Sequence, residues 1–310
     1  TKDGYIKRLP PDTFKTQGRG GKGVIGLTTK EEDTVEHLLG TQTHDDLLFF
    51  TTRGRVFQLK AYDVPPASRT AKGQAIVNFL QLAPQEKITT IQRLVDLKKY
   101  AYLVMATKQG VIKKVDNKDF ENVRRSGLIA IRLKEDDELR WVRPSTGKDE
   151  VVLITREGQA IHFKEKDVRP MGRVASGVRG IRLKKKDDEV VGMDVVASGK
   201  ASANAELTVV MENGFGKRTK LDMYKVQGRG GSGVTTAKVT PKTGRVVSAF
   251  VLDLKALPEG LLGDLLAISE KGQVIRLPAK SVSVVGRATQ GVRVMRFKEE
   301  GDKIASVTLV

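Results

Sequence analysis

An all-β disc of six propeller-like blades, with about four short strands to a blade, is the fold this sequence predicts. Two observations carry the prediction. A run of β-forming residues closing on a Gly turn recurs at 47–54, 102–110, 151–158, 207–214 and 265–272, and Gly4 heads a sixth unit without its leading strand. Each turn glycine also has a partner downstream: Gly4/Gly23, Gly54/Gly73, Gly110/Gly127, Gly158/Gly177, Gly214/Gly233 and Gly272/Gly291, 19 residues apart in five units and 17 in the third.

Within a unit the elements follow in a fixed order. Behind the second glycine comes another β-run, as at 128–133, 178–183 and 292–297. An acidic turn follows (Glu31-Glu32-Asp33, Glu135-Asp136-Asp137-Glu138, Asp187-Asp188-Glu189, Glu299-Glu300-Gly301-Asp302), and then a closing strand such as 190–196 or 304–310. The chain divides into approximate repeats 1–42, 43–96, 97–146, 147–200, 201–257 and 258–310 of a single domain, 1–310. Helix-length amphipathic windows are scarce; 31–39 and 255–266 have room for a turn or two. Closing the ring would remove the sheet edges that otherwise invite aggregation.

Composition narrows the partners. Of 310 residues, 39% are hydrophobic, enough for a sizeable core, while Lys plus Arg number 55 against 37 Asp plus Glu, a net charge of +18. Such a surplus points to a polyanion. Cysteine is absent, so there is neither a disulfide framework nor a thiolate metal site, which fits a reducing compartment. The longest apolar runs, 47–50 and 102–106, are far too short to span a bilayer, and no secretory signal is present; a cytoplasmic protein without a membrane partner is expected. A first residue of Thr1 rather than Met suggests an excised fragment.

The basic residues are held in phase with the repeat. Four positions before the second glycine stand Arg19, Arg69, Arg173, Arg229 and Arg287, with Arg124 and Arg125 nearby in the short third unit. Four positions after the first glycine stand Arg8, Lys114, Arg218 and Arg276, with Gln58 and His162 in the other two units. Equivalent positions on successive blades should form a stripe around the disc, and the acidic turns fall at another phase. Double-stranded DNA presents a phosphate charge every ~1.7 Å of axis, so a curved basic stripe would meet more phosphates as the duplex bends. Bending 20–30 base pairs by 40–90° costs on the order of 1–6 kcal/mol, which several charge-assisted contacts can offset. Backbone contacts carry little sequence information. Aromatic residues are 5% of the chain and sit in apolar runs (Phe49, Phe50, Phe57, Phe79, Phe163, Phe250, Phe297), the pattern of a core rather than of stacking platforms for single strands.

Enzyme readings fare worse. A Gly-rich cassette occurs twice, Gln17-Gly18-Arg19-Gly20-Gly21-Lys22-Gly23 and Gln227-Gly228-Arg229-Gly230-Gly231-Ser232-Gly233, and each contains Gly-x-Gly-x-x-Gly. A dinucleotide site needs a helix behind that motif, whereas 24–27 and 234–239 continue as β-like sequence. Neither cassette ends in Gly-Lys-Ser/Thr, so a P-loop fails too. His37, His44 and His162 are scattered, with no third metal ligand evident, and no nucleophile–base arrangement stands out.

The segment 17–23 resembles the basic Gly-rich heptapeptide box that marks the C-terminal domain of DNA gyrase A. The likeness extends through 2–9 (KDGYIKRL), 172–183 (GRVASGVRGIRL), 214–219 (GFGKRT) and 286–297 (GRATQGVRVMRF), and covers essentially the whole chain. The resemblance implies a six-bladed β-pinwheel whose neighbouring blades exchange strands, with duplex DNA wrapped right-handedly around its perimeter. It implies box residues Gln17, Gly18, Arg19, Gly20, Gly21, Lys22 and Gly23, although the box's second residue is usually basic and here is Gly18. The copy at 227–233 reads as a weaker contact point, with Ser232 in place of a basic residue. It also implies partners outside this chain: the N-terminal breakage-reunion region, which holds the catalytic tyrosine, and the gyrase B protein of an A2B2 holoenzyme. No cofactor is expected in this domain, since ATP and Mg2+ belong to the rest of that holoenzyme. The corresponding C-terminal domain of topoisomerase IV is the near alternative. A protein-interaction propeller is the alternative from another class, and a nucleotide enzyme the remotest.

Overall fold

The structure is a computed structural model that describes residues 1–10, 37, 39–68, 71–199, 204–255, 257 and 263–309. It is built almost wholly of short antiparallel strands. Three of them make the body of each blade: β2 (Asp46–Thr51), β3 (Arg55–Lys60) and β5 (Ile88–Arg93) in the first, and β6 (Tyr102–Thr107), β7 (Val111–Asp116) and β9 (Leu139–Ser145) in the second. The third has β10 (Glu150–Thr155), β11 (Gln159–Lys164) and β13 (Val190–Val196), the fourth β14 (Glu206–Met211), β15 (Phe215–Lys220) and β17 (Val246–Leu252), the fifth β18 (Asp264–Ser269), β19 (Val274–Pro278) and β21 (Ile304–Leu309). The remaining strands are two residues long: β1 (Tyr5–Ile6), β4 (Gln74–Ala75), β8 (Leu128–Ile129), β12 (Val178–Arg179), β16 (Val234–Thr235) and β20 (Val292–Arg293).

Four of the two-residue strands, β8, β12, β16 and β20, leave their own repeats and complete the preceding blade. The sheet orders are β5-β2-β3-β8, β9-β6-β7-β12, β13-β10-β11-β16, β17-β14-β15-β20 and β21-β18-β19. Strand exchange between neighbours is therefore a property of the fold. The expectation of six blades is corrected to five. The first unit forms no blade of its own among the described residues; its strand β1 pairs only with β4. Among the described residues four blades have the expected four strands, and the fifth has three.

The strands β5, β9, β13, β17 and β21 pack against one another in series, so they are the inner edge of the array, and the exchanged strands lie at the outer edge. Strands β6, β10 and β14 are buried along nearly their whole length, because each lies in the middle of a sheet that is covered on both faces by neighbouring blades. The core accordingly sits between blades: Leu48, Phe50, Leu103, Met105 and Phe120 fill one seam, and Val104, Leu153, Ile161 and Phe163 the next. In every blade the pairing of the middle strand with the inner strand slips at the same place, at Thr51, Thr107, Thr155, Met211 and Ser269. A bulge repeated at one position adds local twist to each blade.

The second glycine of a pair marks the point where the chain crosses over the preceding blade. Gly233 has φ +69°, and a Cβ there would lie 2.3 Å from the carbonyl oxygen of Ala160 on β11. Gly291 has φ +77°, with the corresponding distance to Gly216 on β15 at 2.4 Å. Only glycine permits both the left-handed backbone and the close approach.

A candidate nucleic-acid interface

The two in-phase series of basic residues have opposite fates. The series four positions after the first glycine falls, past Arg8, in the middle of β3, β7, β11, β15 and β19, and Arg8, Lys114, His162 and Arg218 reach from one unit into the next. Arg8 Nε donates to the carbonyl of Val64 at 3.1 Å, and Lys114 Nζ to that of Glu165 at 3.2 Å while sitting 3.4 Å from the Glu165 carboxylate. His162 Nδ1 lies 2.8 Å from the carbonyl of Tyr224, and its Nε2 is 2.9 Å from Glu150. Arg218 donates to the carbonyls of Val282 at 2.8 Å and Lys280 at 3.0 Å and pairs with Glu206. Lys114 and Arg218 are only 3% and 7% exposed. A perimeter role for these two is corrected: their charge is spent between blades. Gln58 holds the same place in its unit and donates to Asp46 at 2.8 Å. Arg276 lies on β19, which has no outer strand beside it among the described residues; it pairs with Asp264 at 2.8 Å and is half exposed.

The second series sits on the corners that lead into the exchanged strands. Arg173 and Arg287 are half-buried and Arg124 is exposed; among the described residues no carboxylate pairs with any of them. Arg125 is exposed but pairs with Asp63 at 3.1 Å. Arg229, in the second Gly-rich cassette, reaches back to the preceding unit and donates to the carbonyls of Asp167 at 2.9 Å and Arg179 at 3.0 Å. The first cassette, Gln17–Gly23, and Arg69 lie outside the described residues.

A third basic series, which the sequence pattern alone did not single out, stands five positions after the second glycine: Arg132, Arg182, Lys238 and Arg296. All four side chains are exposed. Their backbone N–H groups fix where they sit, since Arg132 donates to Ala175, Arg182 to Gly231 at 2.8 Å and Lys238 to Thr289 at 3.0 Å, each an acceptor on the next corner. A cation of one unit is thereby placed beside the corner of the following one. The same repeat alignment that exposed the first two series would have found this one.

Two open clefts connect these corners. One of about 740 Å³ is walled by Lys134, Arg179, Arg182 and Lys186 with Asp188, and one of about 460 Å³ by Lys184, Gly233 and Arg287. Charge at the hairpin-turn end is arranged differently. There Arg156 is shared by Glu189 and Glu212, and Arg245 by Glu157 and Asp187. The acidic turns are partly structural: Asp137, Asp188 and Asp302 accept the backbone N–H groups of Gln109, Glu157 and Lys271. Cations are thus neutralised at the turns, whereas Arg124, Arg173 and Arg287 on the corners meet no carboxylate among the described residues. Among the described residues no group of His, Asp and Glu could hold a metal ion, and no helix is long and apolar enough to cross a membrane.

Fold and corners together define a β-propeller of the strand-exchanging kind with a cationic outer edge. The profile of the DNA gyrase C-terminal domain, beta-propeller, matches residues 1–41, 45–94, 101–146, 149–197, 212–253 and 263–310. The chain is 42% identical over 307 residues to the DNA gyrase A protein of Staphylococcus epidermidis ATCC 12228, and 43% over 299 residues to that of Staphylococcus aureus NCTC 8325. These alignments cover 99% and 96% of the chain but 33% and 32% of the relatives, so the chain spans about a third of their length. Among solved structures it is similar to the C-terminal domain of a DNA topoisomerase IV (TM-score 0.81, 26% identity, 100% of this chain and 91% of that one). It is also similar to a DNA gyrase A C-terminal domain (TM-score 0.70, 28% identity, 99% and 97%). The chain belongs to the DNA gyrase C-terminal domain family.

Proposed function

We propose that this domain binds double-stranded DNA along the outer edge of its blades and bends it, enabling a gyrase holoenzyme to introduce negative supercoils. The observation that carries the reading is the run of unpaired cations along successive corners, Arg124, Arg173, Arg287 and the series Arg132, Arg182, Lys238 and Arg296, beside turns whose charges are paired. Contacts of this kind reach phosphates rather than base edges, so affinity would fall steeply with salt and depend little on sequence. The box residues Gln17–Gly23 are proposed to anchor the track, and Arg69 to extend it. The domain performs no chemistry itself in this reading. Strand breakage, ATP hydrolysis and the cytoplasmic holoenzyme of gyrase A and gyrase B lie outside the chain.

The experiment is relaxation of a circular duplex with the domain bound. A shift in linking number that grows with protein and vanishes at high salt is expected; no shift at saturation overturns the wrapping claim. The second reading, a topoisomerase IV domain that selects substrates without a full wrap, is favoured by the higher TM-score of that structural likeness. In a reconstituted holoenzyme, removal of 17–23 should abolish supercoiling and spare relaxation; retained supercoiling denies the box its anchoring role.

A further inference from the structure

Three positions after the first glycine, units one, three and five carry Lys7, Lys113 and Lys217, whereas the other three carry Phe57, Ile161 and Ile275. The lysines reach into the corner of the following unit. Lys7 Nζ donates to the carbonyls of Ser68 at 3.3 Å and Ala71 at 2.8 Å. Lys113 Nζ donates to those of Ala130 at 2.8 Å and Arg173. Lys217 Nζ donates to those of Gly286 at 2.8 Å and Arg287, and to Thr289 Oγ1 at 3.2 Å, while Thr289 Oγ1 itself donates to Gly286 at 2.8 Å. Lys113 and Lys217 have no exposed surface.

A fully buried ammonium is costly, and neither of these is matched by a carboxylate in contact. Backbone carbonyls do the compensating, and those of Arg173, Gly286 and Arg287 belong to the corners that present Arg173 and Arg287. The alternate corner, at 227–233, is built without this device. Ile161 lies under Gly231, and Arg229 is held by two carbonyls of the preceding unit.

Resting on the DNA-binding reading above, we propose that Lys113 and Lys217 are positioning residues for phosphate contact. Each clamps its corner so that Arg173 or Arg287 stands free toward solvent, and each places a second positive charge behind that guanidinium. The electrostatics agree. Burial lowers both lysines to about 8, with Arg173 or Arg287 pushing the same way and Asp119 opposing at Lys113. A phosphate at the guanidinium supplies the negative charge each site lacks, so binding there favours the protonated lysine.

The test is binding of a fluorescent duplex to the 310-residue chain over a range of salt, for wild type, Arg287→Ala, Lys217→Met and the double variant. Arg287→Ala should reduce the slope of log affinity against log salt by about 0.9, one phosphate contact. Lys217→Met should reduce it by a similar amount, and the double variant by little more than either alone. Wild-type affinity should also fall as pH rises from about 7 to 9, and this fall should flatten when both lysines are Met. Additive losses, or a Lys217→Met protein with the wild-type slope and pH profile, would overturn the proposal. Thr289→Val is the milder variant should Lys217→Met not fold; it should move the slope the same way by less, and an unchanged slope counts against the clamp. Salt-independent binding by the wild type would instead sink the DNA-binding reading itself.

Discussion

Arg218 and Arg287 come from the same kind of unit, recur at fixed phase and carry the same group, yet one is a tie between blades and the other a free cation on a corner. Arg218 sits mid-strand, where a long side chain leaving the sheet meets the next unit's backbone; it satisfies two carbonyls and Glu206. Arg287 sits where the chain turns to cross over β15, and among the described residues its side chain finds no carboxylate. Repetition alone therefore says that a residue matters to the unit, and the local backbone decides whether it matters to stability or to a partner.

The difference can be broken by experiment, beginning with the largest effect. Arg218→Ala strips a buried pair of one member and leaves Glu206 and two carbonyls without their donor; a loss of ~3–5 kcal/mol is expected in urea unfolding. The salt slope of DNA binding should stay at the wild-type value wherever the variant is folded. Gly233→Ala must place a Cβ against Ala160 with φ positive, so it should cost at least ~1–3 kcal/mol by the same measurement. The clamp lysines give a pH signature. Their folded values near 8 lie below the ordinary 10.5, so the unfolded chain binds more protons between those limits. Stability should consequently rise as pH climbs from about 8 to 10.5 relative to a Lys113→Met/Lys217→Met protein, in which this contribution is absent. A difference that falls across that window contradicts the burial of the two ammonium groups. Arg276→Ala removes a half-exposed pair and should cost no more than ~0.2–1 kcal/mol. Arg287→Ala should leave unfolding within ~0.5 kcal/mol of wild type, surface changes seldom doing more; an effect approaching that of Arg218→Ala would erase the distinction.

The glycine pairs are legible in the sequence because a positive φ and a backbone crossing leave no other residue to choose, and the strand order follows from them. The core aromatics are legible for a similar reason: Phe49, Phe50, Phe57 and Phe163 fall in apolar runs and are buried. The first basic series misleads at Lys114 and Arg218, and its own exceptions hold the correction. Gln58 and His162 fill the same slot, and what Arg, Lys, Gln and His share is an N–H to donate, not a charge. Lys113 and Lys217 are hidden by the opposite cue, since their slot alternates with Phe57, Ile161 and Ile275, which marks it as interior. The blade count is overread because a repeat in sequence is not a sheet: among the described residues the first unit contributes β1 alone, and β1 pairs with β4, which the second unit lends backward.

That backward loan has a consequence for how such a molecule can change size. The seams closed by β8, β12, β16 and β20 share one joint, a glycine crossing followed by a two-residue strand laid on the preceding blade. A unit could be inserted or deleted between two joints without altering the chemistry of any that remain. Blade number is then a quantity the architecture leaves adjustable, and with it the length of edge available to whatever lies along the corners.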